Sequence, residues 1–245
     1  MKTNQQNNQP SDAPVVPTRA VRPRGLGFAF QIVLLGGWAL LVGTALAAES
    51  GRPLPGKPVL LSSTYFGGSG NDRVSAIAVD GAGGVYAAGF STSSNFPISG
   101  DGSAAAPEEQ GCLVIAKFDR ELKTLQAGMA LAGASRRARI AGLALDPKSG
   151  DVILAGFTDA MNFPTTPGAF QKERAGGQDL FVARVDAGLK KLKAATFLGG
   201  QKDDCGYGVV LDASGNIYVA GRAESSNYPT TSGGYCKDLD RKSVV

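Results

Sequence analysis

The chain is 245 residues long, with 34 glycines, no histidine, 19% charged residues and a formal net charge of +4. Glycine at about twice its usual share of roughly 7% marks many tight turns, because glycine reaches the positive φ angles that turns between short strands demand. The lack of histidine excludes Ser-His-Asp and Cys-His nucleophiles, histidine-ligated zinc and an imidazole acid or base near neutral pH.

Residues 1–24 read as a disordered, basic n-region that ends in Arg19, Arg22 and Arg24. An uncharged stretch over residues 25–48 follows, containing Phe28, Phe30, Ile32, Val33, Leu34, Leu35, Trp38, Leu40, Leu41 and Val42 and closing on Ala45-Leu46-Ala47. Basic flank, apolar run and small-residue exit are the parts of a secretory signal peptide, with cleavage expected between Ala47 and Ala48. The competing reading is an uncleaved transmembrane helix over residues 25–48 that anchors the chain in the inner membrane, since the run is long enough to span a bilayer. Either reading places the remainder outside the cytoplasm: extracellular, periplasmic or at the cell surface.

Residues 1–47 carry four basic side chains and one acidic one, so without them the net charge falls from +4 to +1. The basic character of the precursor therefore gives no support for a nucleic-acid partner, which needs a concentrated basic face. Membrane contact is expected only through the N-terminal segment. The clusters Arg136, Arg137, Arg139 and Lys190, Lys191, Lys193 read as solvated turns.

Beyond residue 58 the chain repeats. Asp80, Asp146 and Asp212 recur 66 residues apart, each opening an Asp-to-Gly hairpin turn that leads into a small apolar run ending in Ala-Gly. A second marker follows each one: Asn95-Phe96-Pro97, Asn162-Phe163-Pro164 and Asn227-Tyr228-Pro229. A third precedes them: Phe66-Gly67-Gly68, a degenerate Leu131-Ala132-Gly133, and Leu198-Gly199-Gly200. The copies divide as 58–123, 124–190 and an incomplete 191–245. Alternation and turn signals predict four strands per copy, in the second at 127–131, 140–145, 152–157 and 180–185. The fold class is thus all-β: propeller blades of four antiparallel strands, about three of them in an incomplete ring. A sandwich does not explain a constant repeat of four strands.

The runs Ser63-Thr64-Tyr65-Phe66-Gly67-Gly68-Ser69-Gly70-Asn71-Asp72 and Asn162-Phe163-Pro164-Thr165-Thr166-Pro167-Gly168-Ala169-Phe170-Gln171 resemble the bacterial β-propeller repeat family SBBP. The resemblance covers residues 61–240 and implies a propeller fold in an exported or cell-surface bacterial protein. It brings no active site to transfer. The third copy stops where its fourth strand is due, so a truncated propeller, prone to self-association through uncovered sheets, is expected.

Candidate sites are few. Asp72 and Asp204 follow the Gly-Gly marker at equivalent positions and are weak calcium candidates, with turn capping as the bland alternative. Repetition of Asp80, Asp146 and Asp212 suits a structural turn role. Phe96, Phe163 and Tyr228 suit packing between adjacent blades better than stacking on sugar rings. Cys112, Cys205 and Cys236 are odd in number, so at least one thiol is unpaired or bridged to another chain; Cys205 with Cys236 is the one pair worth testing. No catalytic residue, cofactor or dedicated metal site is expected. The function read from these features is an exported, non-catalytic interaction or adhesion scaffold with a protein or glycan ligand; the alternative is part of a carbohydrate-active or quinone-dependent propeller enzyme.

Overall fold

The computed structural model describes residues 60–98, 111–131, 135 and 137–236 in full, together with the backbone alone of 29–35, 38–44 and 59. The n-region over 1–24 and the cleavage site at Ala47 and Ala48 lie outside the described residues. So does much of 25–48. Its described backbone forms β1 (Ala29–Leu35) and β2 (Trp38–Thr44), an antiparallel hairpin whose β1 runs parallel to β3 (Val59–Tyr65). An apolar run of this kind is compatible with strand or helix on pattern alone. No helix among the described residues is long and apolar enough to cross a membrane.

From Asp72 onward the chain is antiparallel sheet. The first complete sheet runs β4 (Asp72–Val79), β5 (Val85–Ser91), β6 (Cys112–Phe118) and β7 (Leu125–Leu131) in spatial order. The second runs β8 (Arg139–Leu145), β9 (Val152–Thr158), β10 (Asp179–Val185) and β11 (Leu192–Leu198). β12 (Asp204–Leu211) and β13 (Ile217–Ala223) form a two-stranded third sheet. β8 packs against both β4 and β12, so the leading strands of the three sheets lie side by side. The described residues do not close a ring.

The expected strands match β7 to β10 to within two residues at either end. The sheets, however, are staggered by one strand against the sequence periods. The first strand of each period, β7 in the second copy and β11 in the third, hydrogen-bonds to the sheet before it. Each four-stranded sheet is therefore built from two copies.

The sheets stack face to face, which is why β5 (VYAAGFS) is buried along its whole length and β9 (VILAGFT) almost so. Tyr86, Phe90, Ile115, Met129 and Leu131 meet Ile140, Leu154, Phe181 and Phe197 across the first seam. Ile153 and Ala155 meet Val209 across the second, with Val182 and Val219 beside them. The Tyr86 hydroxyl donates to the Ala187 carbonyl at 3.3 Å, and the Ser75 hydroxyl donates to the Ile140 carbonyl, so the first seam also carries polar ties. On the far face of the third sheet Tyr207, Val210 and Tyr218 are exposed.

Each leading strand contains a bulge at Ser75, Ala141 and Tyr207, where the register shifts between 74 and 76, 140 and 142, and 206 and 208. Opposite each bulge stands a glycine of the second strand: Gly89, Gly156 and Gly221. A Cβ there would lie 1.8, 1.9 and 2.1 Å from the carbonyl oxygens of Arg73, Arg139 and Cys205. No side chain fits, so the Ala-Gly ending of each apolar run is a steric requirement of the bulge. Gly156→Ala is expected to destabilise the chain by about 3 kcal/mol. A denaturant melt with an unchanged midpoint would show that the bulge tolerates a Cβ.

Candidate functional site

Three turns recur at the ends of the sheets, and each repeated acid has partners in one of them. The longest network centres on Asp72 and Asp204, which open β4 and β12 and are buried. The Gly68 N–H donates to Asp72 Oδ2 at 2.7 Å, and the Gly200 N–H donates to Asp204 Oδ2 at 2.7 Å. From the loop after the second strand, the Ser93 hydroxyl reaches Asp72 Oδ2 at 2.8 Å and the Ser225 hydroxyl reaches Asp204 Oδ2 at 2.7 Å. The same serines accept from Gly70 N–H at 2.7 Å and Lys202 N–H at 2.8 Å. Asn95 and Asn227 finish the stitch, accepting from the N–H groups of Ser69 at 2.7 Å and Gln201 at 3.0 Å.

The Gly-Gly marker and the Asn-Phe-Pro marker are thus two halves of one clamp. Asp72 also accepts from the Ser91 hydroxyl, and Asp204 from the N–H groups of Glu224 at 3.0 Å and Ser225 at 3.2 Å. Carboxylate oxygens surrounded by N–H and O–H donors are shaped for hydrogen bonds, whereas a calcium ion needs lone pairs aimed at a common point. The geometry at Asp72 and Asp204 is that of a buried loop cap. Among the described residues no group of three His, Cys, Asp or Glu side chains is placed to hold a metal.

The second copy departs from this pattern in a correlated way. Ala138 stands where Asp72 and Asp204 stand, and Ala160 where Ser93 and Ser225 stand. Losing both members of a buried polar pair leaves no orphan, whereas losing one does. The loop is tied instead by the Ser135 hydroxyl, which donates to Asp159 and accepts from the Arg137 N–H at 3.0 Å.

The Asp80, Asp146 and Asp212 turns close the hairpin between the first two strands. Asp80 Oδ1 accepts from Ala82 N–H at 3.0 Å and Gly84 N–H at 2.7 Å; Asp212 Oδ1 accepts from Ser214 N–H at 2.8 Å and Asn216 N–H at 2.9 Å. Gly83, Gly150 and Gly215 supply the left-handed residue, with φ of 89°, 71° and 91°. Lys148 N–H bonding holds the Asp146 carboxyl below the usual range, and the Asn216 side chain does the same for Asp212. A cation on the third strand also faces the first two turns: Lys117 lies 3.4 Å from Asp80, and Arg184 pairs with Asp146.

The second copy has one extra hairpin residue, Asp151, whose buried carboxylate lies 2.7 Å from both Arg184 Nε and Lys193 Nζ. Lys193 is therefore in an ion pair, while Lys190 and Lys191 cap the Asp186 turn through their backbone N–H groups. Burial alone would raise the Asp151 pKa, but the bonds from Lys193 and Arg184 bring it below the ordinary range.

The aromatic markers are core residues. Phe96 packs with Cys112, Val114 and Ala130, its ring 4.9 Å from Phe66. Phe163 lies 4.6 Å from Phe181 and 5.4 Å from Phe197 in the first seam. Tyr228 is half-buried beside Leu180 and Leu198 of the preceding sheet, around a water-sized space of about 40 Å³, and burial pushes its phenol up to about 12. That space is far below the roughly 300 Å³ a small-molecule pocket needs. Cys112 and Cys205 are buried and not bridged to each other, and Cys236 is exposed. Burial raises the Cys112 thiol to about 11, so it is no ready nucleophile.

Three elements escaped the sequence reading. Ser93 and Ser225 share a Ser-x-Asn spacing ahead of the aromatic marker, a signal that was present but short. Leu122 and Leu189 hold left-handed φ of 58° and 56° in a second repeated turn, buried beneath Asp119 and Asp186. Asp179, fully buried at the start of β10, was passed over because no other copy has an acid there.

The clamp can be tested by a double-mutant cycle. Asp204→Ala is expected to cost about 3 kcal/mol and Ser225→Ala about 1–2 kcal/mol, with the pair costing about 1 kcal/mol less than the sum. Chemical denaturation of the four proteins reads this, and strict additivity would mean that the two side chains do not cooperate.

No curated protein matches the chain. A family model does match residues 63–97, a span that runs from the last residues of β3 through the Gly-Gly turn, β4, the Asp80 hairpin and β5 to Asn95-Phe96-Pro97. This is the whole clamp in one copy, and the model that these residues match is SBBP, Beta-propeller repeat.

Proposed function

We propose that the chain is an exported, non-catalytic β-propeller repeat protein that serves as an interaction or adhesion scaffold through its loops. The observation that carries this reading is the loop between β9 and β10. Its backbone is pinned to the edge strand β11, with Thr166 N–H donating to Ala195 O at 3.2 Å and Phe197 N–H to Gln171 O at 3.0 Å. Yet Met161 and Phe170 on that loop are 88% and 72% exposed. Apolar side chains held in water by a fixed backbone are the usual anchors of a binding surface. By contrast, the repeated acids are occupied in turns and clamps, which leaves none of them poised for acid or base chemistry. The export part of the reading rests on the basic flank, apolar run and Ala45-Leu46-Ala47 exit.

One expression experiment addresses both parts. The full chain produced in a bacterium is expected outside the cytoplasm with Ala48 as its new N-terminus; retention in the cytoplasm would refute export, and an intact membrane-bound chain would favour the anchor. The recovered protein, applied to glycan and surface-protein arrays, is expected to bind without turnover. Phe170→Ser with Met161→Ser should cut that binding at least about tenfold while leaving the melting temperature unchanged. Hydrolysis or dye reduction lost with a single carboxylate substitution would replace this reading with the propeller-enzyme one.

A further inference from the structure

The seam between the second and third sheets contains two buried carboxylates, and the loop clamp accounts for only one of them, Asp204. Asp179 and Asp204 are both 0% exposed. They sit on either side of one dipeptide: a Cβ at Gly199 would lie 2.5 Å from Asp179 Cγ, while the Gly200 N–H donates to Asp204 Oδ2 at 2.7 Å. Their backbones are joined as well, since the Asp204 N–H donates to the carbonyl of Gln178 at 2.6 Å. Asp204 is well satisfied, but Asp179 is not. Asp179 Oδ2 accepts from Ala175 N–H at 2.7 Å and Gln171 Nε2 at 3.1 Å, whereas its Oδ1 is buried with no hydrogen-bond partner among the described residues.

An ionised carboxylate with one bare buried oxygen, facing a second buried carboxylate, is expensive, and a single proton on that oxygen removes the charge. The surrounding groups offset this only in part. The Ala175 and Gln171 bonds and the Arg174 charge favour the ionised form but do not outweigh burial. Arg174, on the loop before β10, directs its Nη1 to the carbonyls of Gly176 and Gly177, and its Nε has no partner among the described residues. Tyr228, from the loop after β13, feels both carboxylates only as repulsion against its own ionisation. Asp203 is engaged by the Gln178 N–H, and the Cys205 thiol is raised mainly by burial.

We propose that Asp179 and Asp204 make this seam a proton-operated clasp, tightened when Asp179 Oδ1 takes up a proton from solvent and loosened when both carboxylates are ionised. The direction follows from linkage. Burial, with the Asp204 charge acting in the same sense, raises the Asp179 carboxyl above the usual range. Its contribution to seam stability is then fully present below the unfolded value of about 3.9 and is lost as pH rises through the folded one. Asp151 works the other way, because its lowered carboxyl gives stability that is lost only as pH falls through its folded value. The seam is thus tighter on the acid side of the folded Asp179 value. The first seam is a built-in control: Cys112 occupies the place of Asp179, and Ala138 the place of Asp204. The clasp does not depend on whether the loops bind a ligand.

Hydrogen–deuterium exchange on the full chain, corrected for intrinsic pH dependence, tests it. Protection at residues 199–205 is expected to rise several-fold between neutral pH and about pH 4, while protection at Arg137 and Ala138 stays level. Asp179→Asn should give the higher protection at both pH values. Equal protection at both pH values in the wild type, or a pH dependence that survives in Asp179→Asn, would overturn the proposal. Should the amide disturb folding, a carbon-13 titration of the wild-type Asp179 carboxyl decides: a midpoint at or below about 3.9 rules the clasp out.

Discussion

Sheets buried on both faces impose a condition that reaches every other part of the molecule. Where β5 and β9 end, the chain must turn within a few ångströms of neighbouring sheets, and its polar groups have little water to bond to. The buried carboxylates of Asp72 and Asp204 meet that condition by gathering donors from two loops at once. The aromatic residues after Asn95, Asn162 and Asn227 then fill the space beneath those loops. Hydrogen bonding and apolar packing are consequently coupled at each corner.

Much of this architecture is legible in the sequence because it depends on residues with few alternatives. Gly83, Gly150 and Gly215 announce a left-handed turn, and the three Asp residues ahead of them announce the acceptor. Strand positions follow from alternation, as β8 and β9 show. The stagger of sheets against periods is not legible, since local pattern says nothing about which neighbour an edge strand such as β7 or β11 will choose. Nor is the left-handed leucine: nothing in Leu122 or Leu189 signals a positive φ, and only burial in the folded molecule offsets its cost of roughly 1–2 kcal/mol.

The candidate site was harder to read than the fold for a related reason. Repetition draws the eye to residues shared among copies, and those are consumed in building loops. The residues with unusual environments, Asp179 and Asp151, stand where the copies differ. Asp179 is the clearest case, for its counterpart Cys112 and its neighbour's counterpart Ala138 carry no charge. What distinguishes one seam from the next is written in the exceptions to the repeat.

The stagger bears on how such a chain can change in length. A complete sheet takes its outer strand from the following copy, as the second sheet takes β11 from the third. Inserting or removing one whole period therefore renews the same strand pairing at the junction, wherever in the period the cut falls. The number of sheets can grow or shrink by duplication with the strand pairing preserved, and each added unit arrives with the glycine that its bulge requires and an aromatic plug for the loop above it.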